Sequence, residues 1–191
     1  GAGLTAHSRW PDRAGSVRFA RPWGHVKAAA IVGQVGFQTT TTASGNPSNE
    51  KTGYGLNLSG AFKFGASETL SWGLAGGKGI ASYMNDGGTD LSPGAAIRAE
   101  AVRSLGWFAY WGHAWNERLN SSLGFSQHRQ DNTAGQSGTA LHTGSYGSAN
   151  LLYELTPSVL LGGEYVWGKR ENKDGSSGID SRFQFSTRVS F

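Results

Sequence analysis

The stretch FQFSTRVSF, residues 183–191, alternates apolar and polar side chains up to the final residue of the chain. Gln184 and Arg188 fall on the polar side of this alternation. The apolar side consists of Phe183, Phe185, Val189 and Phe191. An alternation with a period of two residues is typical of a β-strand with one apolar and one polar face. The stretch therefore predicts a two-faced strand at this end of the chain.

The same alternation recurs along the whole sequence, for example in GYGLNLSGAFKF at 53–64 and SVLLGGEYVWG at 158–168. No segment shows the period of an amphipathic helix. We therefore predict an all-β, antiparallel fold in a single domain covering residues 1–191. The nine expected strands cover residues 14–22, 24–38, 53–65, 69–84, 98–115, 118–130, 140–155, 158–171 and 176–191.

The connections between these strands alternate in length. Tight turns such as Thr156-Pro157-Ser158 alternate with long polar connections such as TTTTASGNPSNEKT and DNTAGQSGT. Short turns at one end and long loops at the other are typical of outer-membrane β-barrels. The strands are also longer than the usual five to six residues or so of globular sheets. Together these features predict the wall of a transmembrane barrel.

Composition agrees with this prediction. The 191 residues include 30 Gly, seven Trp, six Tyr, nine Phe and no Cys, and no apolar run is long enough for a membrane-spanning helix. Mean hydropathy is only −0.39, as expected when every second residue of a membrane strand faces water. The net charge of +4 comes from dispersed basic residues, which argues against a nucleic-acid partner.

Catalytic and cofactor signatures are missing from the sequence. The string Gly76-Gly77-Lys78-Gly79 lacks the glycine spacing and the following Ser or Thr of a phosphate-binding loop. The five histidines have no metal-ligand spacing, and no GxSxG motif accompanies the serines. We therefore expect no catalytic residues, no cofactor and no metal.

If the apolar faces contact lipid, the opposite faces line a water-filled lumen. Strand parity then gives the pore-lining candidates, which are Arg18, Lys63, Arg118, Glu154, Glu164, Arg182 and Arg188. Their excess of positive charge favours anion entry. Alternatively, Arg182, Arg188 and Glu164 form a neutralising network. Lys78 shares parity with apolar residues, so it is either turned inward by a bulge at Gly76-Gly77, extended to the membrane interface, or placed against a neighbouring subunit.

Several longer phrases resemble one family. LGGEYVWGKRENKDGSSGIDSRFQFSTRVSF at 161–191, TGYGLNLSGAFKFG at 52–65 and GGKGIASYMND at 76–86 resemble DcaP-like trimeric porins of Gram-negative outer membranes. The resemblance implies a sixteen-stranded barrel, a homotrimer, contact with outer-membrane lipid, and passage of small anionic solutes such as dicarboxylates. It also implies that the terminal Phe191 belongs to a signal read by the barrel assembly machinery.

The predicted number of strands bears on whether this chain forms a complete barrel. Nine strands are an odd number, whereas closed bacterial barrels have an even number, so we expect either the C-terminal part of a larger barrel or a tenth short strand within residues 1–13.

The alternative to a porin is a soluble or surface β-barrel that binds a small ligand in its interior. A soluble barrel buries its aliphatic residues inside, whereas a porin turns them toward lipid.

Overall fold

The computed structural model describes residues 4–6, 8–39, 48–84, 87–93 and 99–191. Within these residues nearly all of the regular structure is β-strand, with one 3-10 turn at Ala81–Tyr83. The strands are β1 Leu4–Ala6, β2 Arg13–Arg21, β3 Gly24–Thr39, β4 Ser48–Phe64, β5 Glu68–Lys78, β6 Leu91–Pro93, β7 Ala99–Ala101, β8 Arg103–Ala114, β9 Leu119–Asp131, β10 Leu141–Thr156, β11 Val159–Asn172 and β12 Ser177–Val189.

Ten of these strands form one antiparallel sheet in which the long strands follow each other in chain order. Strands β6 and β7 form a separate two-stranded sheet. The predicted antiparallel all-β fold is thereby confirmed. Among the described residues the sheet is open, with β2 and β12 at opposite edges. In the described part of the chain, no helix is long and apolar enough to cross a membrane.

The short strand β1 lies within residues 1–13, the region that could hold a tenth strand. It pairs with the far end of β3 through Leu4 and Thr39, whereas β2 pairs with the near end through Arg13 and Val32. Both therefore occupy the same edge of β3. Together, β1 and β2 fill a single strand position in the wall, so β1 adds no further position to the nine long strands.

The register divides the sheet into two faces, because directly opposed residues of antiparallel strands point to the same side. One face, here called the apolar face, carries most of the large hydrophobic side chains, and they are exposed: Leu56 is 69% and Phe185 86% accessible. Among the described residues, the few buried apolar side chains are Ile80, Ala81, Ala99, Val102 and Val166. This distribution is the reverse of that in a soluble barrel, which buries its aliphatic residues inside.

Several aromatic rings lie near the short turns. Trp23 stacks on Phe62 with ring centroids 5.6 Å apart, and Phe62 in turn stacks on Trp72 at 5.9 Å. At the turn after β8, the rings of Trp115 and His113 meet edge-on with their centroids 4.4 Å apart. Amphipathic rings are favourable at the boundary between lipid and water, and this placement fits an aromatic girdle in a membrane wall.

The predicted strands 69–84 and 98–115 are too long. Strand β5 ends at Lys78, and β8 begins at Arg103. The chain leaves the ladder at Gly79, which adopts a φ of 63°. This left-handed conformation is open to glycine but costly for most other residues. The described residues 79–84, 87–93 and 99–102 therefore form a separate segment, which we call the polar-face segment because of the packing described below.

Of the three alternatives given for Lys78, the one that requires a bulge at Gly76-Gly77 is wrong. The register between β4 and β5 runs without a shift, with Gly77 opposite Gly55 and Lys78 opposite Tyr54. Two adjacent glycines are compatible with an ordinary extended strand, so they do not require a bulge. Lys78 consequently stays on the apolar face, where it is exposed.

Candidate solute-conducting face

The polar face lies opposite the exposed hydrophobic side chains and carries glycine, serine and charged residues. Six of the seven predicted pore-lining residues lie in strands with their positions on this face. They are Arg18 of β2, Lys63 of β4, Glu154 of β10, Glu164 of β11, and Arg182 and Arg188 of β12. All except the half-buried Glu164 are exposed. The face therefore presents its charges to solvent.

Arg118 lies outside the strands, in the turn between β8 and β9. Its carbonyl oxygen accepts a hydrogen bond of 2.8 Å from the backbone N–H of Glu154, which continues the β9–β10 ladder by one position. Glu154 lies opposite Leu160, and Leu160 lies opposite Arg188. The structure thus brings Arg118, Glu154 and Arg188 to the short-turn end of neighbouring strands.

The alternative of a neutralising network on β11 and β12 is not formed. Arg182 lies opposite Val166, and the Glu164 carboxylate accepts a hydrogen bond from the side-chain amide of Gln184. Within the described residues, neither Arg182 nor Arg188 has an ion pair within 4.0 Å. Both guanidinium groups are exposed.

Sequence reasoning missed several charged residues that share this face. Lys27 lies directly opposite Arg18, so two cations sit side by side. The other three are Lys51, Arg170 and Asp180. The alternation that identified Arg182 also contained a signal for Lys27 and Asp180, since Lys27 separates Val26 from Ala28 and Asp180 follows Ile179. With them, basic residues still outnumber acidic ones on the described strands of this face.

The polar-face segment packs on the glycine-rich part of the polar face. Ile80 is only 5% exposed, and a Cβ atom built on Gly55 would lie 2.6 Å from its Cδ1 atom. A Cβ atom on Gly53 would lie 2.8 Å from the carbonyl oxygen of Gly79. The glycines of β4 thus form a floor on which the segment lies in direct contact with the backbone.

Hydrogen bonds hold the segment at several points. The buried Gln130 side chain of β9 donates to the carbonyl oxygen of Thr89 at 3.1 Å and to the hydroxyl of Ser104 at 3.2 Å. At the other side, the Tyr83 hydroxyl donates to the Asp12 carboxylate, and this bond raises the pKa of Tyr83. The segment is therefore anchored from the residues before β2 across to β9. Sequence reasoning missed it because residues 85–94 have the composition of an ordinary long loop.

Beside the segment, a cavity of about 580 Å³ opens toward Arg170 of β11. The Arg170 guanidinium is fixed by hydrogen bonds to the side-chain oxygen of Asn172 at 2.8 Å and to the carbonyl oxygen of Thr139 at 3.0 Å. Met84, Gly88 and Thr89 of the segment line the facing side of the cavity. This arrangement places a fixed cation at the long-loop end of the polar face.

Comparison with known proteins bears on this wall as a whole. Neither a protein-family model nor a curated protein matches the sequence. Among solved structures, the outer membrane channel DcaP of Acinetobacter baumannii matches with a TM-score of 0.86 and 21% sequence identity, over 100% of this chain and 54% of that chain. The chain has the fold of DcaP. The resemblance to DcaP-like porins is thereby confirmed in the fold, and the chain spans about half the length of DcaP.

Two further solved structures show more distant similarity than DcaP. The NanC porin matches with a TM-score of 0.49 and 10% identity, over 99% of this chain and 98% of that chain. A FadL homologue of Pseudomonas aeruginosa matches with a TM-score of 0.45 and 10% identity, over 93% of this chain and 65% of that chain. In the part of the chain that the structure describes, no group of three His, Asp or Glu side chains is placed to hold a metal ion.

Proposed function

We propose that the chain forms the C-terminal part of the wall of an outer-membrane porin, a passive, water-filled diffusion channel that favours small anionic solutes such as dicarboxylates. The observation that carries this proposal is the reversed polarity of the sheet. Its large hydrophobic side chains are exposed on one face, and its charges lie on the other. Such a sheet fits a wall between lipid and water. The likeness in fold to DcaP, itself an outer membrane channel, supports this role.

The preference for anions rests on the basic excess of the polar face. A pore wall of net positive charge lowers the electrostatic cost of anion entry and raises the local concentration of anions. An arginine fork also matches a carboxylate with two parallel hydrogen bonds. Arg182 and Arg188 lie on the same strand and the same face, so both ends of a dicarboxylate can be held in turn. Exposure of both side chains keeps such binding weak enough for release.

The direct test is conductance of the full-length protein in a planar lipid bilayer under a salt gradient. We expect discrete channels whose reversal potential reports a higher permeability for chloride than for potassium. Added succinate is expected to lower the chloride current by competing for the same basic wall. Absence of channels, or a reversal potential of the opposite sign, would contradict the proposal.

Assembly is the second part of the proposal. We propose a homotrimer in the outer membrane of a Gram-negative bacterium, delivered there by the barrel assembly machinery. Strand β12 ends at Val189, and the backbone N–H of Ser190 still donates to the carbonyl oxygen of Ser158 at 2.9 Å. Phe191 lies beyond this bond and is fully exposed. Its ring is therefore accessible to an assembly factor.

Replacing Phe191 with alanine should reduce the amount of folded protein in the outer membrane by several-fold without changing the stability of protein that has assembled. The ring is exposed, so its removal deletes little packing. The measurement is the level of folded protein in isolated outer membranes, together with its thermal unfolding in detergent. Phe191→Tyr keeps the aromatic ring and is the matched control. Equal levels for Phe191→Ala and wild type would show that the terminal ring is not an assembly signal.

A further inference from the structure

A cluster of cations lies on the apolar face, where a membrane wall would carry uncharged side chains. Lys78, the last residue of β5, is directly opposite Arg103, the first residue of β8. Arg129 of β9 lies opposite Leu105 and is therefore the diagonal neighbour of Arg103. We call these three residues the rim cluster. Like charges directly opposite each other destabilise a sheet, so an anion bound between Lys78 and Arg103 would stabilise this pair.

The charge within the chain compensates only partly. Asp131 is the one described carboxylate paired with the cluster, and it is shared at 3.9 Å by both Arg103 and Arg129. The side chains of Arg103 and Arg129 are 68% and 60% exposed. Within the described residues Lys78, also exposed, has no ion pair within 4.0 Å. Three cations and one carboxylate leave a net positive patch that is accessible from outside the wall.

The position of the rim cluster identifies the environment of this patch. On β8, the next two residues of the apolar face toward the short turns are Leu105 and Trp107, which are 47% and 39% exposed. Tyr54, opposite Lys78, is 51% exposed. The cluster thus sits where the exposed hydrophobic surface ends, at the long-loop end of the strands. In outer-membrane barrels this end faces the outside of the cell.

We propose that the rim cluster binds the phosphate groups of the phosphorylated glycolipid that forms the outer leaflet of Gram-negative outer membranes. This inference rests on the proposed membrane location of the wall. Arginine guanidinium groups match phosphate oxygens bidentately, and lysine adds a point charge. A phosphate between Lys78 and Arg103 relieves their mutual repulsion while the acyl chains cover the hydrophobic surface below. Basic residues beside a membrane surface attract anionic headgroups in this way.

Lipid retention tests the proposal. Full-length protein is incubated with lipid A in detergent, washed, and the lipid A bound per protein is counted by native mass spectrometry. The rim variant carries Lys78→Gln, Arg103→Gln and Arg129→Gln, and we expect its retention to fall by about tenfold or more, since three cation–phosphate contacts are lost. The matched control removes three cations from the polar face, with Arg18→Gln, Lys27→Gln and Lys63→Gln. Its retention should equal that of wild type.

A second variant tests the same idea by raising the net positive charge of the rim cluster. Asp131→Asn removes the carboxylate that competes with phosphate for both arginines, and we expect retention above wild type. Unchanged retention in the rim variant, or an equal loss in the polar-face control, would overturn the proposal. The same preparations are measured in planar bilayers. Specific loss of lipid A from a protein that forms no channels would refute the porin function alone, whereas channels with unchanged retention would refute the rim site alone.

Discussion

Replacing residues 79–102 with a two-residue Asn-Gly turn will raise the single-channel conductance of the full-length protein. Lys78 and Arg103 are direct partners, so a two-residue turn can join them without disturbing the ladder. The excision removes the polar-face segment, whose buried Ile80 lies on Gly55. Because conductance follows the open cross-section of a water-filled pore, we expect an increase of about twofold. Single-channel recording in a planar bilayer measures it.

Two substitutions at one position provide the matched comparison. Ile80→Val keeps an apolar side chain against Gly55 and Gly77 and should leave the conductance unchanged. Ile80→Asp places a carboxylate at a site that is only 5% exposed, and burial of an unpaired charge is costly enough to detach the segment. This variant should approach the excised channel or fluctuate between two levels. Wild-type conductance in the excised protein would show that the segment does not narrow the pore.

Reversing the charge of two arginines should reverse the ion preference. In the Arg182→Glu, Arg188→Glu double variant, two cations of the polar face become carboxylates. Neither arginine has an ion pair in the described structure, so their full charge acts on ions in the water. We expect the ratio of chloride to potassium permeability to fall on the order of tenfold. The reversal potential in a salt gradient measures this ratio.

Removal of the acidic residues on the same face should act in the opposite direction. The Glu154→Gln, Glu164→Gln double variant leaves the arginines in place and increases the basic excess, so chloride preference should rise. Both pairs of substitutions are isolated from the apolar face, and folding is checked by circular dichroism. If both variants keep the wild-type reversal potential, the charges of β10 to β12 do not control selectivity.

The alternation of side chains is sufficient to predict most of the wall. The strand predicted at 118–130 is Leu119–Asp131 in the structure, and the last strand, predicted at 176–191, is Ser177–Val189. These strands have one apolar and one polar face along their whole length, so the alternation in the sequence matches the two faces of the strand in the structure. The prediction for β5 is too long because Ile80 and Met84 continue the apolar parity after the chain has turned at Gly79. The alternation predicts the face of the sheet to which a side chain points, but it does not predict the residue at which the backbone leaves the sheet.

The face of each charge can also be predicted from parity, whereas its partners cannot. Parity places Glu164 on the same face as the arginines of β12, but register sets Glu164 opposite Gln184. The segment is unpredictable for the same reason. Its anchors, such as Gln130 with Thr89, join residues far apart in the chain, and no local pattern reports contacts of that kind.

The glycine floor beneath the segment has a consequence for the evolution of pore size. In a simple barrel, the bore is determined by the number of strands, and changing it requires duplication or loss of whole hairpins. Here the segment lies so close to the floor that a Cβ atom on Gly53 would meet the carbonyl oxygen of Gly79 at 2.8 Å, and one on Gly55 would meet Cδ1 of Ile80 at 2.6 Å. In the proposed channel, a side chain at either position would displace the segment, so the bore would change by point substitution while the circumference of the wall stays the same.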